Sequence, residues 1–326
     1  MSLRPAFIGL KSWFVPLLLL GLALWLTLSQ LPSFSSLPDL WREWSEVGIL
    51  ACGMTAVMLA GGIDLSVGSI AALACVCLGL CWRDLHLPLP IACLAGVAAG
   101  TLAGALNGLL VTLGLPSLVA TLATMAFYSG VAMALAQGNR IALPEEFAAW
   151  GDSSPFGVPI QVLAFGAVFI VLAIAVHGTR WGRCVYAIGD NRRAAVFAAV
   201  PVARVEMSLF CVMGLLAGIV AVLHAVRGGS ASPDPKPDLA LRVIACVILG
   251  GTTVTSGQGS VFRTLLGVAI LAHLEIGMSM LSSRDFYWPW GGKPWRLTAE
   301  ARLVVVGLAV IVVAAWNERV AAKREG

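Results

Sequence analysis

Between Val47 and Trp82 the chain runs for 36 residues with one charged side chain, Asp64, in the stretch LAGGIDLSVGSIAAL (59–73). As a single α-helix that run would measure about 54 Å at ~1.5 Å per residue, well beyond a hydrocarbon core of roughly 30 Å. It must therefore be broken, and the paired glycines Gly61 and Gly62 mark where irregular backbone is permitted. Asp64 and Ser66 are residue types that cap the helix that follows. Nine further apolar segments accompany the first of these pieces: the set is 13–31, 47–62, 65–82, 88–113, 116–137, 159–178, 206–226, 241–256, 260–281 and 301–317. Only 12% of residues are charged and 59% are hydrophobic, where a soluble domain carries about 25% charged residues. The fold class this predicts is an all-α polytopic membrane protein of about ten transmembrane segments with two interrupted helices, forming one domain over 1–326.

Lys and Arg placement predicts the orientation. The stretch RWGRCVYAIGDNRRAAVFAAVPVARV (180–205) carries five arginines against one aspartate, and the tail NERVAAKREG is also basic. Both are expected to be cytoplasmic. The acidic stretches 37–46 and 139–155 are expected outside, and ten crossings with both termini inside satisfy all of these. The loop 282–300 then lies outside as well, with Tyr287, Trp288, Trp290 and Trp295 suited to a membrane–water boundary. Arg4 and Lys11 precede a first apolar stretch that is long for a signal peptide and has no small-residue cleavage site after it, so it reads as a retained anchor.

Gly96, Gly100, Gly104 and Gly108 recur every four residues, a smooth face against which another helix can pack closely. Gly214 and Gly218 repeat the spacing. Of the eight cysteines, Cys52, Cys75, Cys77, Cys81, Cys93, Cys211 and Cys246 lie in apolar segments and none forms a C-x-x-C pair, which makes them packing residues.

A second broken segment, LGGTTVTSGQGSVFRTLLG (249–267), opens on paired glycines like the first. Two interrupted apolar segments in corresponding halves point to a translocation pathway. Asp64 has two readings at this stage, a helix cap, which is the safer, or a lining of that pathway, which the cost of a charge at membrane depth supports if the break lies deep. No enzyme constellation is present. The chain lacks G-x-x-x-x-G-K-[ST] and H-E-x-x-H, its four histidines have no ligand spacing, and no second membrane aspartate accompanies Asp64. Catalytic and metal-binding residues are expected to be none. An ion-coupled secondary transporter of small polar solutes, with Asp64 and Glu275 as coupling groups, remains an alternative.

GGIDLSVGS closely resembles a fingerprint of the permease subunits of ribose-type ATP-binding-cassette importers. LNGLLVTLGLPSLVATLATM (106–125), YAIGDNRRAAVFAAVPVARV (186–205) and VILGGTTVTSGQGSVFRTLLG (247–267) resemble further family segments in order and spacing. The resemblance covers roughly 45–281. It implies a transmembrane permease of the bacterial inner membrane that imports a monosaccharide, polyol or related solute and does no chemistry itself. Its implied partners are a cytoplasmic ATPase that binds ATP and Mg, a second permease of the same or a different kind, a periplasmic substrate-binding protein and membrane lipid. No cofactor is expected in this chain and no nucleic acid.

The same resemblance implies a translocation path at Gly61, Gly62, Asp64, Ser66, Gly68, Ser69, Asn107, Gly250, Gly251 and Thr252. It implies a cytoplasmic coupling loop over 179–205, with Gly189, Asp190, Asn191, Arg192, Arg193, Ala194, Ala195 and Pro201 at its centre. There, Asp190 or Asn191 can cap a short helix RRAAVFAA that ends near Pro201. The chain departs from the family pattern at Ala199, Ala240, Arg242, Ser256 and Arg263, and in the length and aromatic content of 282–300.

Overall fold

A computed structural model describes residues 14–28, 37–234, 238–253, 257–282, 304–309 and 311–316. The expected basic N-terminus, the aromatic loop beyond Ser282, the basic tail and Ser256 lie outside the described residues. The described chain is helical apart from turns and one two-residue antiparallel bridge. The helices are α1 (Phe14–Leu28), α2 (Leu37–Leu59), α3 (Val67–Arg83), α4 (Leu89–Thr112), α5 (Ser117–Ala136), α6 (Glu145–Asp152), α7 (Ile160–Gly178), α8 (Arg180–Asp190), α9 (Arg192–Phe197), α10 (Val202–Gly228), α11 (Leu239–Leu249) and α12 (Val261–Ser282), and residues 304–309 and 311–316 are helical too. The bridge joins β1 (Ile141–Ala142) to β2 (Ser230–Ala231).

Five of the described helices are long and apolar enough to cross a membrane: α4, α5, α7, α10 and residues Val261–Ser279 of α12. The chain is thus an α-helical membrane protein. α2 is long as well, but Asp39, Arg42, Glu43 and Glu46 occupy its first half. α3 and α11, with 17 and 11 residues, are shorter than the roughly 20 residues of a lone span.

The acidic stretch 37–46 forms the start of α2. Arg42 and Glu46 are matched by partners, which lets the helix carry them. Glu46 lies 3.2 Å from both Arg227 and His224, and Arg42 pairs with Asp152 at 3.1 Å. The acidic stretch 139–155 contains α6.

α10 packs along α4 more extensively than any other pair of helices. The reason is the glycine stripe: a Cβ on Gly104 would overlap the Phe210 carbonyl oxygen and the Gly214 backbone, and one on Gly100 would meet Gly214 and Gly218. Here the two backbones touch. The central core forms around α2, against which α7, α10, α11 and α12 pack.

The break at 60–66 differs from an interruption within one span. Glu46, more than three turns before the end of α2, lines the same narrow cavity as Cys75, midway along α3. Farther along α3, Gly79 packs on Ile141 and Ala231 of the bridge. α2 and α3 are therefore the legs of a hairpin, and 60–66 is where the chain reverses. α11 and α12 form a second hairpin, since Gly250 packs on Arg263 while Gly267 packs on the Cys246 carbonyl. Hydropathy reports the break but not the change of direction.

Candidate functional site

Local sequence explains the first turn. α2 ends at Leu59 and Gly61 takes a left-handed φ of 81°, a conformation glycine adopts without a Cβ penalty. The next amides are met by side chains of α5: Ile63 N–H donates to Ser117 Oγ and Leu65 N–H to Thr121 Oγ1, both at 3.2 Å. Irregular backbone in a membrane protein requires such internal partners. The spacing of Ser117 and Thr121, one helical turn apart after Pro116, sets both hydroxyls on the same face.

Asp64 is wholly buried. Its Oδ1 accepts from the Ser66 amide at 2.8 Å and the Ser66 hydroxyl at 2.6 Å, while its Oδ2 has no hydrogen-bond partner among the described residues. Asn107 Nδ2 donates to Ser66 Oγ at 2.7 Å, and the Tyr128 hydroxyl lies 3.1 Å from Asn107 Oδ1 and 2.8 Å from the Ala103 carbonyl. A polar chain thus runs from the turn through α4 to α5. By holding the Ser66 amide, two residues on, Asp64 shapes the turn that leads into α3 without bonding the helix's own first amides. Ser66 itself makes no side-chain cap on α3, because its hydroxyl is committed to this network.

Of the residues expected on a path, Gly61 and Gly62 line an open cleft of about 300 Å³, with Val57, Ser117, Arg192 and Glu206 among its other walls. Gly68 borders the narrow cavity beside Glu46 and His224. Asp64, Ser66, Ser69, Asn107, Gly250, Gly251 and Thr252 are buried. At the second turn Gly251 has φ 79°, and Gly259 packs on the Thr252 side chain. Glu275, the alternative's second carboxylate, pairs with Arg242 at 3.0 Å and takes no part in the Asp64 network.

The stretch expected as a coupling loop folds into α8 and α9. Asn191, rather than Asp190, caps α9: its Oδ1 accepts from the Ala194 amide at 3.0 Å. α9 leaves Val196 55% and Phe197 92% exposed, and Asp190, Arg193 and Ala194 are exposed beside them, whereas Ala195 is buried. Arg192 reaches back to Glu206 through two bonds of 2.9 and 3.2 Å, which hold the guanidinium's pKa above its ordinary value. Pro201 sets the start of α10. Ala199 stands at φ 56°, so the departure from glycine there places an alanine in the left-handed region.

α8 also meets both turns. Gly189 packs so closely on the Leu59 carbonyl and on Gly257 that a Cβ would collide with each. Tyr186 donates to the Gly259 carbonyl at 2.9 Å, and burial pushes its phenol up to about 12, so the donor persists across physiological pH. Ser117, Thr121, Tyr128, Tyr186, Gly257 and Gly259 were not predicted as site residues. The hydroxyl pair Ser117 and Thr121 in SLVATLATM (117–125) was the one local signal available for them.

Residues 41–314 match the family described as branched-chain amino acid transport system / permease component. The chain belongs to this family. Within it the permease is of the ribose-type ATP-binding-cassette kind. It is 33% identical to the ribose import permease protein RbsC of Bacillus subtilis over 279 residues, 84% of this chain and 82% of the relative. It is 33% identical to RbsC of Escherichia coli over 305 residues, 90% of this chain and 91% of the relative. The autoinducer 2 import system permease protein LsrD of Escherichia coli is 32% identical over 242 residues, 72% of this chain and 73% of the relative. No solved structure matches the chain. The permease is a multi-pass protein of the bacterial inner membrane, and its relatives transport rather than catalyse.

Proposed function

We propose that this permease forms the translocation path of an ATP-driven importer for a monosaccharide, polyol or related small solute, and that it carries out no chemical step. The observation that carries the reading is the junction at Gly189, where one exposed segment touches both chain reversals. A partner pushing on α9 would move α8, and α8 has no slack against Leu59 or Gly257. The exposed Phe197 and Val196 supply an apolar contact for such a partner, and Arg193 a charge beside it. On this reading 179–205 is the coupling segment and the partner is a cytoplasmic ATPase, which would bind ATP and Mg. Both chain termini then lie on the ATPase side, and about ten crossings complete the fold.

Gly61 and Gly62 belong to the wall of the path. Asp64, Ser66, Ser69 and Asn107 stand behind it and hold the turn in shape, and Gly250, Gly251 and Thr252 serve the second turn in the same way. A second permease and a periplasmic substrate-binding protein complete the importer.

The test is purification of the tagged permease in mild detergent, identification of what accompanies it, and uptake of labelled sugars by vesicles. Recovery of an ATPase with phosphate-binding loops, and uptake that requires ATP, supports the proposal. A permease that runs alone and transports on an ion gradient without ATP overturns it in favour of a secondary transporter.

A further inference from the structure

At the end of the molecule that carries the β1–β2 bridge, α4, α6 and α10 enclose an apolar groove of about 660 Å³. That is within the roughly 300–1,000 Å³ range of small-molecule sites. Phe147 and Val226 form its buried floor, and Leu94 and Trp150 stand exposed at its rim. The only charged residue that lines it is Glu146, in the first turn of α6. No ion pair or hydrogen bond engages that carboxylate among the described residues.

We propose that this groove holds one phospholipid with an amine-bearing headgroup, its acyl chain between α4 and α10 and its ammonium beside Glu146. Three observations select this occupant. The groove opens onto an apolar, exposed face of α4 that includes Ile91 and Leu94, and in a membrane protein such a face is in contact with lipid. Trp150, 65% exposed, has the amphipathic ring that settles at headgroup level. A second copy of the chain is the less suitable occupant, because close helix association in membranes uses small residues. The small-residue face of α4 is already consumed by α10, and the groove offers bulky side chains instead. A lone carboxylate at the rim then selects a cationic group over an anionic one.

The experiment is native mass spectrometry of the full chain, delipidated and then given equal amounts of phosphatidylethanolamine and phosphatidylglycerol with the same acyl chains. The wild type should retain one phosphatidylethanolamine with about a two- to fivefold preference, the scale of one partly exposed ion pair. Leu223→Trp and Val97→Phe, which fill the groove, should lose the lipid, and Glu146→Gln should keep it with the preference reduced to parity. A wild type without retained phospholipid overturns the proposal, as do filled variants with undiminished lipid. A filled variant that loses its dimer mass while lipid stays bound assigns the groove to a second copy instead. Should the filled variants not fold, chain-brominated lipids provide the readout on intact protein. The fluorescence difference between wild type and Trp150→Phe should be quenched more by the ethanolamine form, and equal quenching overturns the headgroup assignment. Neither readout involves transport, so either result leaves the importer reading to its own test.

Discussion

Asp64 shows how burial assigns work to a side chain whose sequence context allows two readings. Its Oδ1 organises Ser66, and through Ser66 reaches Asn107 and Tyr128, while no part of it reaches open space. Asp64→Asn preserves the accepting oxygen and should leave both folding and uptake near wild type. Asp64→Ala strands the Ser66 amide and hydroxyl and should cost about 1–3 kcal/mol. Thermal unfolding in detergent separates the two, and loss of uptake in a well-folded Asp64→Asn would restore a role for the carboxylate in transport. Ala199 makes a second residue-level case. Its left-handed φ of 56° costs an alanine about 1–2 kcal/mol, partly offset by the lower chain entropy that alanine has in the unfolded state. Ala199→Gly should therefore raise stability by roughly 0.5–1 kcal/mol in the same assay.

Among helices, the α4–α10 crossing was legible in the sequence because a four-residue glycine spacing maps directly onto a helix face. The reversals were legible as breaks. Their sense was not, since two antiparallel legs and two halves of one span have the same hydropathy. The start of α2 was hidden because its charges are paired across the fold, with Glu46 meeting residues 178 or more positions away. The junction at Gly189 was hidden for a similar reason: Leu59, Gly189 and Gly257 share no local pattern. Glycines predict unequal outcomes according to what they face. Gly104→Val should abolish recovery of monodisperse permease, because a Cβ there meets backbone that cannot yield, and overpacking of even ordinary cores costs about 1–3 kcal/mol. Gly130→Ala on α5, where nothing stands within 4 Å, should be neutral or stabilising by about 0.5–1 kcal/mol. Size-exclusion profiles of the two variants check this pair.

Across the whole molecule, polar machinery is divided between two ends. One end holds Glu46 paired with His224 and Arg227, and Arg242 paired with Glu275 and 5.9 Å over the Trp44 ring. The other end holds α8 and α9 against the two turns. If force enters at α9, then Phe197→Asp should sever it from its partner and leave the remainder of the permease intact. The expected outcome is normal thermal stability, loss of the co-purifying ATPase, and uptake reduced by an order of magnitude or more, about the effect of losing one interface hot spot. Undiminished ATPase recovery with this variant would move the contact elsewhere.

The touching backbones of α4 and α10 also bear on how such a permease changes over generations. Any nucleotide change in the first two positions of a glycine codon adds a side chain or ends translation, so each glycine in that seam has no smaller neighbour to drift toward. The seam is closed to gradual variation. Novelty in what such a permease carries must accumulate elsewhere, and the cluster around Arg242, held by side chains rather than by touching backbones, is open to it.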